Sequence, residues 1–160
     1  MLTRALVLIF AISLSVLLLS GQSNAAPLTT KYFGLTLPGD WVVVNGPTKK
    51  DDVVQVLLGQ KEHKCSALII AGPAAPGEGE KAANAHAQRL GGAKPVYRNG
   101  QWNFTFVQQG VKGYFVARED TTAKLLLMLV VSGSNTSMAN FVFQMRGPYK
   151  GVLPQPPANR

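Results

Sequence analysis

Residues 96–106, Val96-Tyr97-Arg98-Asn99-Gly100-Gln101-Trp102-Asn103-Phe104-Thr105-Phe106, contain the clearest structural code in this chain. Asn-Gly is the dipeptide that a two-residue type I′ turn favours, because both central residues of that turn need a positive φ. Alternation along the strand after the turn places its three aromatic side chains on one face. The stretch therefore predicts a β-hairpin with an aromatic face.

The sequence after this hairpin predicts further antiparallel strands. Gly110 and Gly113 precede an apolar run at 114–117, and a polar turn at 118–122 leads into Leu125-Leu126-Leu127-Met128-Leu129-Val130-Val131. This last run is apolar at odd and even positions alike, which is typical of a strand that is buried on both faces. We expect a β-meander that ends in a central strand.

Two segments have helical patterns. Residues 78–90 are rich in alanine, begin with acidic residues that suit the positive end of the helix dipole, and are followed by Gly91-Gly92 as a C-terminal cap. The second helix is predicted before Gly147-Pro148, where apolar residues recur at i, i+3, i+4 and i+7. These residues are Met138, Phe141, Val142 and Met145. Both helices are expected to pack against a sheet.

The N-terminal half predicts four strands. They cover residues 31–37, 41–44, 53–58 and 66–71, and we expect Asn45-Gly46-Pro47 to end the second of them. With the meander, these strands make an antiparallel sheet of about six to seven strands flanked by two helices. The expected fold class is α+β.

The opening Phe33-Gly34-Leu35-Thr36-Leu37-Pro38-Gly39-Asp40-Trp41 resembles the start of the PsbP-like fold, whose members open with an aromatic strand, a proline turn and a tryptophan. The order of elements over residues 32–146 is also similar to that superfamily. It includes the extrinsic lumenal subunit of photosystem II, a nuclear-import factor that binds the Ran GTPase, and many exported bacterial proteins. The resemblance implies an α/β/α sandwich that serves as a non-catalytic binding or assembly module. It carries over no functional residue.

The first 25 residues have the pattern of a cleavable signal peptide. Arg4 precedes the apolar run Ala5 to Leu19, and small residues surround the expected cleavage point between Ala25 and Ala26. Export to the periplasm or the exterior is therefore expected. We then predict a linker at 26–31, a single domain at 32–146 and a proline-rich disordered tail at 147–160.

The chain carries a formal net charge of +8, from 16 Lys and Arg against 8 Asp and Glu. A cationic field attracts anions, so an envelope protein or an anionic surface is the expected partner. We expect no nucleic acid, because the basic residues form no dense cluster with aromatic stacking platforms. Peripheral membrane association is a further alternative, and the sequence assigns no oligomeric state.

Three residues are weak candidates for a metal or small-ligand carrier. His63, Cys65 and His86 are the only histidine and cysteine residues in the chain, and zinc or copper would need all three plus another ligand. The single cysteine excludes an internal disulfide. We expect instead a buried Cys65, an exposed loop His63 and a His86 on the flank of the first helix.

No pattern of catalytic residues leads us to expect an enzyme. Residues 77–82 match the spacing G-x-G-x-x-A of dinucleotide sites, but Glu78 and Glu80 would repel a pyrophosphate. Cys65 and His86 lack any motif that supports nucleophilic catalysis. We therefore predict a non-catalytic, cofactor-free binding or assembly module that recognises a protein or anionic partner, and we keep the carrier using His63, Cys65 and His86 as the alternative.

Overall fold

A computed structural model of the chain describes residues 25–157. Within that range the fold is α+β, with nine strands, one α-helix and two 3₁₀ helices. The strands are β1 Ala26–Thr29, β2 Gly34–Leu37, β3 Trp41–Lys50, β4 Val53–Gln60, β5 Cys65–Pro73, β6 Val96–Arg98, β7 Gln101–Gln108, β8 Val111–Asp120 and β9 Leu125–Gly133. Helix α1 is Glu78–Leu90, and the 3₁₀ helices are Thr136–Gln144 and Lys150–Val152.

Seven of these strands form one antiparallel sheet, in the order β3-β4-β5-β9-β8-β7-β6. The apolar run at 125–131 is the middle strand, β9, with β5 on one side and β8 on the other. Strands β1 and β2 form a separate two-stranded sheet. The predicted antiparallel sheet and its central strand are confirmed.

The sheet has a large-core face and a helix face. Odd-numbered residues of β9 such as Leu127 and Leu129 point to the large-core face, where β1, β2 and both 3₁₀ helices contribute side chains. Phe141 of the first 3₁₀ helix packs edge-on against Trp41, with ring centroids 4.8 Å apart. On the helix face, α1 packs over β7 and β8. Two unequal hydrophobic cores therefore lie on opposite sides of one sheet.

The predictions made from the clearest local sequence patterns, the hairpin and the first helix, are confirmed. Asn99 and Gly100 have φ values of 53° and 73°, and β6 and β7 pair directly across them. Phe104 and Phe106 are buried on the helix face, with Trp102 partly buried beside them. Helix α1 has the predicted bounds and ends at Gly91 in the left-handed conformation.

The second helix differs in type from the expectation. Residues Thr136–Gln144 wind as a 3₁₀ helix, although Phe141 and Val142 enter the core as the pattern predicted. A 3₁₀ helix rises about 2.0 Å per residue against about 1.5 Å for an α-helix, so the same residues reach further across the sheet. The apolar spacing predicted the buried side of this segment but not its winding.

Strand β3 is longer than expected. It continues through Asn45-Gly46-Pro47 to Lys50, with irregularities in its pairing to β4 between Val43 and Thr48. Proline lacks a backbone N–H and is tolerated on an edge strand or at a bulge, and β3 is both the edge of the sheet and irregular there. The predicted stop at this tripeptide was therefore wrong.

Described residues of the expected linker and of the expected disordered tail, up to residue 157, have defined structure. Within the expected linker, Ala26–Thr29 is strand β1, and Leu28 is buried in the large core. Within the expected tail, Val152 is only 1% exposed and Pro154 is also buried. Both predictions failed because single apolar residues find places on a core that is built elsewhere in the chain.

The predicted signal peptide falls almost wholly on residues 1–24, outside the described residues. Ala25 and Ala26, the predicted cleavage pair, are both exposed at the start of the described chain. Among residues 25–157, none of the helices is long and apolar enough to cross a bilayer.

Candidate binding groove

A groove lies on the large-core face, at the end of the sheet formed by β6, β7 and β8. Strand register places Val96 beside Asn103, and Thr105 beside Tyr114, so that residues from three strands line the groove. The groove has a volume of about 450 Å³. Thr136, at the start of the first 3₁₀ helix, and Pro157, near the C-terminus, form part of its walls.

The groove is basic. Lys94, Arg98 and Lys112 line it, and none of the residues that line it is an aspartate or a glutamate. All three cationic side chains are exposed, so they keep their hydration and can meet an incoming anion. Like charges that converge without counter-charges raise the local positive potential and attract anions. The arrangement is therefore suited to binding an anionic group at its rim.

The floor of the groove contains a buried amide network. Gln101 is 1% exposed, and its side-chain Nε2 donates hydrogen bonds to Oδ1 of Asn103 at 3.0 Å and to the backbone oxygen of Gln155 at 2.8 Å. Asn103 in turn donates from Nδ2 to the backbone oxygen of Gln101 at 3.1 Å. Buried polar groups cost stability unless they are paired, and this network pairs the Gln101 amide. The polar floor is thus held in one arrangement.

The C-terminal segment Leu153–Pro157, which we call the strap, crosses the sheet beside the groove. Arg118 Nη1 donates to the backbone oxygen of Leu153 at 2.9 Å, and Gln155 N donates to Gln101 Oε1 at 2.9 Å. Both contacts are made to backbone atoms of the strap. The strap is therefore held through its backbone, and its last described residue, Pro157, forms part of the groove wall.

The three predicted ligand residues lie in different places. His63 is exposed in the β4–β5 turn with a φ of 57°, and Cys65 is buried on the large-core face. His86 lies on α1, where its ring stacks on Phe115 at 4.9 Å and its Nδ1 is 2.9 Å from the backbone oxygen of Ala82. The sheet separates Cys65 from His86. Within residues 25–157, no group of three or more His, Cys, Asp or Glu side chains is placed to hold a metal ion.

Cys65 packs as a core residue. It is 3% exposed, and its Sγ lies 3.8 Å from the backbone oxygen of Ser66. Burial raises the pKa of the Cys65 thiol, because a thiolate loses hydration in the core, and contacts with the Ser66 and Ala139 backbone oppose that rise only in part. The thiol is thus set up for packing rather than for nucleophilic attack at neutral pH.

The carboxylate of a distant residue, Glu119, caps the N-terminus of α1. Glu119 of β8 accepts hydrogen bonds from Gly77 N at 2.9 Å and from Gly79 N at 3.0 Å. A pyrophosphate in a dinucleotide site would need these same backbone donors. The G-x-G-x-x-A spacing therefore serves helix capping, with the cap supplied by a distant strand.

Two aspartates, Asp52 and Asp120, stabilise turns. Asp52 in the β3–β4 turn forms ion pairs with Lys31 at 2.7 Å and Lys49 at 3.6 Å, and Lys31 lowers the pKa of the Asp52 carboxyl by hydrogen bonding and by its charge. Asp120 accepts hydrogen bonds from the backbone N–H groups of Thr122 and Ala123. Neither aspartate lines the groove.

Sequence reasoning missed the groove. Its cations are 4 and 14 residues apart in the chain, and they converge only because β6 and β8 flank β7. One signal was available, since Lys94 and Arg98 flank Val96 at alternate positions before the Asn-Gly turn. The role of the strap had no such signal, because proline-rich composition predicts disorder when it is considered alone.

Comparison of the chain with protein-family models and with curated proteins finds no match to either.

Proposed function

We propose that this protein is an exported, non-catalytic binding or assembly module of the bacterial envelope that recognises an anionic protein partner through the basic groove. The observation that carries the proposal is the convergence of Lys94, Arg98 and Lys112 on one concave surface with no carboxylate among its lining residues. Concave sites with a few placed polar groups are the usual locations of ligand and partner binding.

The PsbP-like assignment is part of this proposal. Phe33, Leu35, Leu37 and Trp41, the residues that carry the resemblance, are all buried in the large core. Packed layers on both faces of an antiparallel sheet agree with the sandwich that the resemblance implies. Members of that superfamily commonly act by binding, which supports a recognition role over a chemical one.

Export follows from the leader pattern and is tested separately from binding. Expression of the full chain in a bacterial host, followed by fractionation and intact-mass measurement, should place the protein in the periplasm with a mature N-terminus near Ala26. A full-length mass in the cytoplasmic fraction would contradict export.

The binding proposal is tested by crosslinking the mature protein, residues 26–160, in envelope extracts. We expect the wild type to capture a defined acidic partner, and the double variant Lys94→Glu with Arg98→Glu to lose it. The matched control, Lys50→Glu with Arg89→Glu, makes the same change of charge at exposed residues outside the groove and should retain the partner. Equal capture by both double variants, or turnover of a substrate in an activity screen with no partner recovered, would overturn the proposal.

A carrier of a small anionic ligand is the second candidate. The groove volume of about 450 Å³ favours it, since ligand pockets commonly have volumes of about 300–1,000 Å³. This version uses the groove in place of His63, Cys65 and His86, which lie apart. Native mass spectrometry of the protein purified from its host envelope would show a bound mass that is absent from the groove variant. Titration of zinc and copper into the wild type and the His63→Ala variant tests a metal carrier that uses His63, Cys65 and His86.

A further inference from the structure

The spacing of groove cations along the edge of the sheet is informative about the partner. Lys94, Val96 and Arg98 line the groove, whereas Pro95 and Tyr97 do not. This alternation means that two cations and one apolar side chain share a face, with Val96 46% exposed between the two charges. Lys94 lies two residues before β6 and Arg98 ends that strand, so an extended backbone of about 3.3 Å per residue places the two roughly 13 Å apart.

An extended peptide has the same repeat. In a segment of the form acid-x-apolar-x-acid, the two carboxylates are also roughly 13 Å apart on one face, with the apolar side chain between them. Opposite charges attract across an interface, and contact between apolar side chains removes apolar surface from water. Such a segment is therefore complementary to Lys94, Val96 and Arg98 position by position.

The large-core face already holds a peptide segment, the strap, beside the groove. Gln101 contacts both the backbone oxygen and the backbone N–H of Gln155, and Arg118 contacts the backbone oxygen of Leu153. These contacts show that side chains of this face bind the backbone of a peptide. An acidic peptide thus fits the surroundings of the groove better than a branched or compact anion does.

The outer edge of β6 is a poor place for the partner to add as another strand. Pro95 directly precedes the strand and has no backbone N–H to donate, and only three residues of β6 are paired. The favourable position is therefore above the groove floor, where side chains make the contacts, and not beside the edge, where backbone pairing would.

We propose that the groove binds an extended acidic segment of a partner protein in which two acidic residues, four positions apart, flank a central apolar residue. This inference rests on the proposed function and names the chemistry of its partner. Lys94 and Arg98 bind the two carboxylates, Val96 contacts the apolar side chain, and Lys112 on the opposite wall adds to the positive potential.

The inference is tested by measuring the affinity of synthetic peptides for the mature protein, using fluorescence anisotropy at low salt. The probe is a labelled peptide with the core Glu-Ala-Val-Ala-Glu. The spacing control, Glu-Glu-Val-Ala-Ala, has the same composition, and the charge control is Gln-Ala-Val-Ala-Gln. We expect the probe to bind about tenfold more tightly than the spacing control, since a difference of about 1.4 kcal/mol is one well-placed charge contact.

Protein variants separate failure of this inference from failure of the proposed function. Lys94→Gln and Arg98→Gln should each weaken binding of the probe, whereas Lys50→Gln should not, with circular dichroism confirming that each variant is folded. Equal affinity for the probe and the spacing control would overturn the inference, but the proposed recognition of an anionic partner would still stand. Binding of a sulfated polysaccharide without any peptide would do the same. Binding that is independent of Lys94 and Arg98 would overturn both.

Discussion

Gln101 and Gln155, 54 residues apart in the chain, are joined by a reciprocal pair of hydrogen bonds. The side-chain amide of Gln101 donates to the backbone oxygen of Gln155 at 2.8 Å and accepts from its backbone N–H at 2.9 Å. One buried side chain thus pairs with both backbone polar groups of a single residue, as a neighbouring strand would. This pair attaches the strap to the sheet and places Pro157 at the groove.

Replacing Gln101→Ala should destabilise the protein by about 1–3 kcal/mol, because the backbone N–H and oxygen of Gln155 lose their partner, a side chain that is only 1% exposed. Urea denaturation of both proteins measures the difference. Gln108→Ala, an exposed position on the same strand, is the matched control and should change the free energy of unfolding little. Equal stability of the two variants would contradict a structural role for the Gln101–Gln155 pair.

Replacing Glu119→Gln should destabilise the protein by about 0.5–2 kcal/mol. The variant keeps the shape of the side chain but removes the negative charge that Gly77 and Gly79 N–H groups bind at the positive end of α1. Thermal and urea unfolding measure the loss, and added salt should reduce it. Glu80→Gln, an exposed glutamate in the first turn of the same helix, serves as control and is expected to have the smaller effect.

Replacing Val152→Ala should destabilise the protein by roughly 2 kcal/mol, because two methyl groups are removed from a side chain that is 1% exposed in the large core. Val111→Ala removes the same groups from a side chain that is 43% exposed and should have little effect. Unfolding in urea compares the two. A disordered tail would instead leave the Val152 variant as stable as the wild type.

The buried thiol of Cys65 predicts a decrease in stability at alkaline pH. Its pKa is raised above the ordinary value of 9.0, so the unfolded chain loses the thiol proton at a lower pH than the folded chain does. The contribution of the protonated thiol is complete below about pH 9 and is lost as pH rises toward the folded pKa. Urea unfolding between pH 7 and 10.5 should show a steeper alkaline decline for the wild type than for Cys65→Ala. Parallel curves would contradict burial of the thiol.

Thiol labelling is an independent measurement on the same residue. Ellman's reagent should react slowly with the native protein and rapidly in urea, since Cys65 is 3% exposed. Fast labelling of the native state would place the thiol at the surface, against the described packing.

The local codes predicted much of the fold because they depend on near neighbours alone. A type I′ turn requires positive φ values at both central residues, and Asn99-Gly100 is one of the few dipeptides that accept them. The hairpin could therefore be placed from two residues. Helix α1 combines alanine content, terminal charges and a glycine cap, and its predicted bounds agree with the structure. The run at 125–131 was apolar on both faces, which is sufficient for a buried central strand.

The candidate site could not be predicted in the same way. Lys94, Arg98 and Lys112 converge through strand order, and strand order depends on which strands pair across long loops. For His63, Cys65 and His86 the sequence had the reverse limitation, because it offered a shared site that the fold does not form. Residue type suggested a shared site, but the strand placed Cys65 on one face of the sheet and the helix placed His86 on the other.

The sequence by itself determined the antiparallel meander, helix α1, the buried character of Cys65 and the surplus of positive charge, because each follows from local periodicity, turn chemistry or composition. Only the tertiary structure decided that the strap is ordered, that a distant Glu119 caps α1 and that three scattered cations form a groove. The physical reason is that Val152, Gln155 and Glu119 gain their partners from residues far away in the chain. Local patterns carry no information about such partners until the sheet is assembled.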